Sequence, residues 1–194
     1  MQNKLNDLYE ENIKTHIYSK SLLSAQIVEA TQHLIACLLR GNKVIVCGDG
    51  RSYINAQCLV ANLLNRYDLK RPSFPSVLLS LDSAVGSTFV SDNTLEKLYQ
   101  HQFSAIARSG DILVAFAPLG NEKNVLNTIT HAVNKEINVI VLTGNSNDHI
   151  QGILTDKDLQ IAVPSSKESR ILENHLFIIN SMCELIDFQL FSHS

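Results

Sequence analysis

Along residues 3 to 40, Leu5, Leu8, Ile13, Ile17, Leu23, Ile27, Leu34 and Leu38 recur at intervals that place them along a helix. The pattern stops at Gly41, a residue type that accepts the left-handed conformation closing a helix. One long helix or two consecutive helices are therefore expected before any strand. Beyond that point the period changes. Residues 43–47, 76–81, 111–117, 138–142 and 158–163 are short runs rich in Val, Ile and Leu, apolar on successive positions. Strands buried on both faces have that pattern. Helical patterns fill the gaps at 53–67, 94–108 and 125–134, with a short turn or helix near 149–154. This strand–helix–strand rhythm predicts an α/β fold, a doubly wound parallel sheet with right-handed crossovers. The final segment opens with Ser165 and Glu168 at capping-box spacing, and a helix is expected from there to about Phe191. No repeat, low-complexity tract or linker composition interrupts the chain, so a helical segment 1–40 and a unit 41–194 are expected to form one structure.

Composition narrows the function classes. Of 194 residues 45% are hydrophobic and 18% charged, which excludes disordered and collagen-like architectures. Sixteen Lys and Arg against 19 Asp and Glu, with no basic run, remove the usual electrostatic basis for gripping DNA or RNA. Any role on nucleic acid would pass through another protein. Cys37, Cys47, Cys58 and Cys183 lie scattered in apolar stretches with no CxxC pair, the pattern of reduced core thiols, and a cytosolic protein is expected. No uninterrupted apolar run approaches the roughly 18 residues of a spanning helix, and the charged start MQNKLNDLYEEN lacks the apolar stretch of a signal peptide, so no membrane role is expected.

Candidate chemistry begins at Val46-Cys47-Gly48-Asp49-Gly50-Arg51-Ser52, a glycine-rich turn between the first strand and a helix. Backbone N–H groups and a helix N-terminus can receive an anion there. The turn lacks the third glycine of the dinucleotide fingerprint and the Lys-Ser/Thr of a P-loop, so a tight turn that binds nothing stays open beside it.

This stretch, CGDGRSYINAQ, is followed by NRYDLKRPSFP, then RSGDILVAFAPLGNEKNV, INVIVLTG and VPSSKESRILENHLFIINSMCELID. Together they resemble the sugar isomerase (SIS) domain family, closest to its phosphoheptose isomerase branch and to a related branch that associates with the bacterial replication initiator DnaA. The resemblance implies a flavodoxin-like, five-stranded domain with N-terminal helices, assembled as a homotetramer with ligand clefts at subunit interfaces. It also implies an aldose–ketose isomerase of sedoheptulose 7-phosphate, which needs a base, an acid and, in the active branch, a metal. Carried over position by position, those groups fall on Cys58, Asn62, Leu172 and Asn180, none of which keeps the family's residue type. Asn62 and Asn180 cannot accept a proton at neutral pH, and Leu172 offers neither ligand nor hydrogen bond. A non-catalytic protein with no metal or other cofactor is therefore expected.

Phosphosugar binding is a separate question. Gly48, Asp49, Gly50, Arg51 and Ser52, with Asn55, Asp92, Asn121 and Thr143, would line the pocket if the resemblance holds, although the last four residues suit caps and turns equally. In the family a hydroxyl-rich loop after the third strand holds the phosphate. Here that loop reads Ala117-Pro118-Leu119-Gly120-Asn121-Glu122: its hydroxyls are gone, proline removes a donor, and Glu122 brings negative charge. A phosphosugar remains a candidate ligand of this degenerate pocket. His175 keeps the family's type and reads as a hydrogen-bonded structural residue, while Arg170 and Glu173 have the spacing of a helix pair or a subunit contact.

Leu185, Ile186, Phe188, Leu190 and Phe191 crowd the chain end before Ser192-His193-Ser194. Such a cluster either packs back onto a subunit or serves as a docking patch. The resemblance to the initiator-associating branch implies docking for Leu190 and Phe191. The reading that follows is a homotetrameric, non-catalytic protein that gathers DnaA at the origin. A phosphoheptose isomerase of lipopolysaccharide heptose synthesis and a phosphosugar-sensing regulator are the alternatives.

Overall fold

The apolar positions of residues 3 to 40 form one continuous helix, α1 (Gln2–Leu39), in the computed structural model, which describes residues 1–145 and 148–191. Gly41, at φ +76°, closes it: its N–H donates to Leu38 O at 3.0 Å and that of Asn42 to Cys37 O at 3.2 Å, the paired bonds of a left-handed helix stop. The five apolar runs become β1 (Val44–Gly48), β2 (Ser76–Leu78), β3 (Ile112–Ala117), β4 (Asn138–Gly144) and β5 (Leu159–Val163). They form one parallel sheet in the order β2-β1-β3-β4-β5. This is the flavodoxin-like order, and it puts the topological switch point between the carboxyl ends of β1 and β3.

Successive side chains on a strand point to opposite faces, so a continuous apolar run feeds two cores. Val44 and Val46 join Leu34 of α1, Leu59 and Leu63 of α2 (Ser52–Leu64), and Ile178 and Met182 of α7 (Glu168–Phe191) on one face. Ile45 and Cys47 join Leu98 and Phe103 of α4 (Leu98–Ile106) and Ile129 of α5 (Lys123–Asn134) on the other. Cys37, Cys47 and Cys183 are buried free thiols, and burial pushes Cys37 up to about 11 and Cys183 up to about 12. At the amino end of the sheet Asp111 accepts from the N–H groups of Lys43 and Arg108 and from the Lys43 ammonium. Burial acts against its charge, but these donors hold its carboxyl below the ordinary range.

Four features differ from expectation. The run 76–81 stays in the sheet only to Leu78, because Ser80 is tied by its N–H and C=O to the Gln102 amide at 3.0 and 2.8 Å. The chain then enters a helix the apolar pattern did not indicate, α3 (Ser83–Ser91), capped by the Asp82 carboxylate, which accepts from the N–H groups of Ala84 and Val85. The capping box at Ser165 does not form: Ser165 Oγ accepts from Lys167 N–H, and the Glu168 carboxylate turns to Arg51. Finally, α1 is long and apolar enough to cross a membrane by length and composition, with a stretch of mean hydropathy 1.4, although Gln26, Glu29 and Gln32 interrupt its apolar residues. In the fold it lies along α7 and β5, and Leu23, Ala30, Leu34, Cys37 and Leu38 are buried there. A short helix, α6 (Asp148–Gln151), leads from β4 to β5. The polar tail 192–194 lies outside the described residues.

Candidate functional site

The switch point is built from two loops that meet the head of α7. In the first, Gly50 takes φ +55°, and a Cβ on Gly48 would lie 2.9 Å from the carbonyl oxygen of Ser52, so the turn between β1 and α2 needs glycine at both places. Ser52 is fully buried beneath it. Its hydroxyl accepts from Asp49 N–H at 3.1 Å and shares its proton between Asp49 O at 2.9 Å and Phe116 O at 3.2 Å. That hydroxyl is spent on the loop's own backbone rather than turned to a ligand. Tyr99 lies underneath and donates to Gly48 O, with burial pushing its phenol up.

In the second loop Glu122 does what a bound anion would do. Its carboxylate accepts from Leu119 N–H and from Asn121 N–H, each at 3.0 Å, directly ahead of α5. Asn121 itself is exposed. Between the two loops Arg51, which could have faced an anion, pairs with Glu168 at the start of α7 at 2.8 Å. The remaining opening is a cleft of about 400 Å³ lined by Asp49, Val90, Asn93, Leu95, Glu96, Lys123 and Asn124. Its charges are two carboxylates against one ammonium, a poor host for a phosphate. Asp92 lies exposed at the end of α3 and is not among these lining residues.

Asn55 and Thr143 are both buried in the frame. Asn55 Nδ2 donates to Leu172 O at 3.0 Å, joining α2 to α7, and Thr143 Oγ1 accepts from the Gln160 amide at 3.1 Å. The Thr143 carbonyl accepts from His175 Nε2 at 3.1 Å; His175 is fully buried and its Nδ1 has no partner. Burial drives this imidazole down to about 4 against the opposing effect of that hydrogen bond, so it is neutral at pH 7 and serves as structure. Arg170 and Glu173 pair at 2.8 Å, and Glu173 also accepts from Asn12 of α1.

Of the four positions that resemblance assigns to the isomerase chemistry, Asn62 and Asn180 meet on the seam between α2 and α7. Asn62 Nδ2 donates to Asn180 Oδ1 at 3.2 Å. Cys58 and Leu172 are half-buried on the same two helices. One thiol, one alkyl group and two amides bonded to each other do not make a ligand set for a divalent cation. Farther along the seam Arg71, its side chain 1% exposed, donates through Nε to Asp187 Oδ1 at 2.6 Å and lies over Phe74 at 4.1 Å from its ring centroid. Sequence reading missed the Arg71–Asp187 pair, because 116 residues separate its partners and nothing in the motif around Arg71 points to Asp187.

Apolar surface also lies away from the cleft. A groove of about 710 Å³ runs between α1 and α7, lined by Ile17, Ile27, Val28, Phe177, Ile178 and Leu185 among others. Leu190 is half-buried against the core, and Phe191, also half-buried, lies 6.3 Å from Phe74, ring to ring.

Comparison with known proteins agrees with this architecture. Residues 9–144 match the SIS domain. A phosphoheptose isomerase of Colwellia psychrerythraea is 38% identical over 98% of this chain and 97% of its own length. The DnaA initiator-associating protein DiaA of Escherichia coli is 34% identical over 100% of this chain and 98% of its own. The structure of a phosphoheptose isomerase from Francisella tularensis superposes with a TM-score of 0.91 at 31% identity, covering 96% of this chain and 97% of that one.

Proposed function

Since the chain belongs to the SIS domain family and is phosphoheptose isomerase-like over its full length, we propose that it is a non-catalytic member that binds the replication initiator DnaA as a homotetramer and promotes its assembly at the origin. One observation carries the non-catalytic part of the reading: at the two positions where resemblance expects an acid and a base, Asn62 and Asn180 hydrogen-bond to each other at 3.2 Å; the initiator part is supported by the 34% identity to DiaA. Amides neither take nor return a proton at neutral pH, so an enediol could not form through them. The glycine loop, with Gly48, Asp49, Gly50, Arg51, Ser52, Asn55 and Thr143, is on this reading a pocket turned into a structural joint. No cofactor is required, and the cytosol is the compartment where the initiator is met.

The groove between α1 and α7 is the surface on which copies would assemble, with residues 1–40 and 41–194 acting as one unit. A homotetramer repeats its docking site, so once one initiator is held the next binds at raised effective concentration. Leu190 and Phe191 are the proposed contacts, with the weakly acidic net charge of −3 suited to a basic DNA-binding partner and not to DNA. The 38% identity to a phosphoheptose isomerase is the observation that favours the second reading, catalysis on sedoheptulose 7-phosphate.

One experiment separates them. The purified protein is passed over immobilised DnaA and, in parallel, assayed for isomerisation of sedoheptulose 7-phosphate with and without a chelator. Saturable binding that a Leu190→Ala/Phe191→Ala variant of native oligomeric state loses by about tenfold or more is expected, with no turnover. Chelator-sensitive turnover without DnaA binding would replace this reading by the second.

A further inference from the structure

The last turns of α7 are gripped by groups that the cleft does not use. Arg71 sends Nε to Asp187 Oδ1 at 2.6 Å, one terminal nitrogen to Leu63 O and Pro72 O, and the other to Asn62 O at 2.8 Å. Asn62 and Leu63 lie in the final turn of α2, where carbonyls lack helical partners and a cation is favoured by the helix dipole. The guanidinium thereby fastens α2, the segment 71–74 and α7 together, and it stacks on the face of the Phe74 ring. Phe74 in turn meets Phe191, the last residue of α7, at 6.3 Å and a 30° tilt. Helix ends fray unless tertiary contacts hold them, and the tilted ring pair is such a contact.

We propose that Phe74, seated on Arg71, is the positioning residue that holds the Leu190–Phe191 end of α7 in the conformation presented to the initiator. This deepens the docking reading and rests on it. The bare alternative is that Phe74 contributes to stability alone. A core contact of that kind would leave affinity unchanged in any variant that still folds, whereas a positioning residue changes affinity without touching the partner.

The test uses full-length Phe74→Leu, Phe74→Tyr and Leu190→Ala/Phe191→Ala, each checked for native oligomeric state by light scattering. Binding to immobilised DnaA and hydrogen exchange of the last-turn amides are then measured. Phe74→Leu is expected to weaken binding about three- to tenfold, mostly through faster dissociation, and to speed exchange at residues 188–191 in the free protein. Phe74→Tyr keeps the ring and should restore both values. Should Phe74→Leu lose the native assembly, Phe74→Met replaces it: a flexible side chain of similar volume fills the space while the ring pair with Phe191 goes, and the same loss is expected. Unchanged affinity in these variants, with Leu190→Ala/Phe191→Ala defective, would overturn the positioning role alone. Unchanged affinity in Leu190→Ala/Phe191→Ala would remove the docking reading and this inference with it.

Discussion

The cleft at the switch point and the far end of α7 have opposite surfaces. In the cleft, groups that a ligand-binding site would turn outward are satisfied by one another: Ser52 by Asp49 and Phe116, Arg51 by Glu168, and the N–H groups of Leu119 and Asn121 by Glu122. At the α7 end, apolar side chains that a monomer would bury are left partly in solvent, with Phe188 57% exposed and Leu190 and Phe191 half-buried, over a buried ion pair that stiffens their base. Polar self-satisfaction lowers the gain from any small ligand, whereas incomplete apolar burial raises the gain from a macromolecular one. On the reading proposed above, recognition belongs to the helix end and the cleft keeps a structural role.

The largest expected break in this contrast comes from the joint between the two regions. Arg71→Ala leaves the Asp187 carboxylate 4% exposed with Oδ2 already unpartnered, and a loss of about 3–5 kcal/mol in urea unfolding is expected. A loss below about 1 kcal/mol would mean that the pair does not hold α7. Next comes acid. Burial drives His175 down to about 4 in the fold from the 6.5 of a free imidazole, so the folded state favours the neutral ring. Its contribution is complete above about pH 6.5, declines as pH falls towards 4 and is gone below that, a change of roughly 3 kcal/mol. Stability measured across pH 7.5 to 3.5 should lose this component in His175→Gln, and an equally steep decline in the variant would assign it to other groups. The smallest effect is the most diagnostic of the cleft. Glu122→Ala should cost about 1 kcal/mol and free two N–H groups, after which millimolar inorganic phosphate should raise the Tm of the variant and not that of the parent. Equal shifts in both proteins would show that Glu122 does not occupy the cradle.

The fold was legible because its strands are uninterrupted apolar runs and its helices fill the gaps between them, while the order β2-β1-β3-β4-β5 was implied only by the family resemblance, since the same rhythm fits other doubly wound orders. Helix α3 escaped because Ser, Gly, Thr and Val give SAVGSTFVS little helical preference; only the cap at Asp82 announced it. Reading the third-strand loop as hostile to phosphate anticipated the negative charge of Glu122, but not that its carboxylate folds back onto Leu119 and Asn121, which depends on loop geometry. Cys58, Asn62, Leu172 and Asn180 were located through resemblance; the direct bond between the two amides needed the packing of α2 on α7. Arg71 stood in the NRYDLKRPSFP stretch that carried the resemblance, but its pairing with Asp187 was invisible, since polar residues far apart in the chain acquire that meaning only when buried together.

Glu122 carries a consequence for regulation. A metabolite fills its site according to its concentration, so a protein that binds one reports the state of a pathway whether or not it acts on it. An acceptor attached to the chain by its own Cα has no such dependence: the cradle at Leu119 and Asn121 is filled in starvation and plenty alike. On the reading proposed above, a protein built this way would not respond to the sugar-phosphate pool, and what it contributes would be set by the number of copies the cell makes.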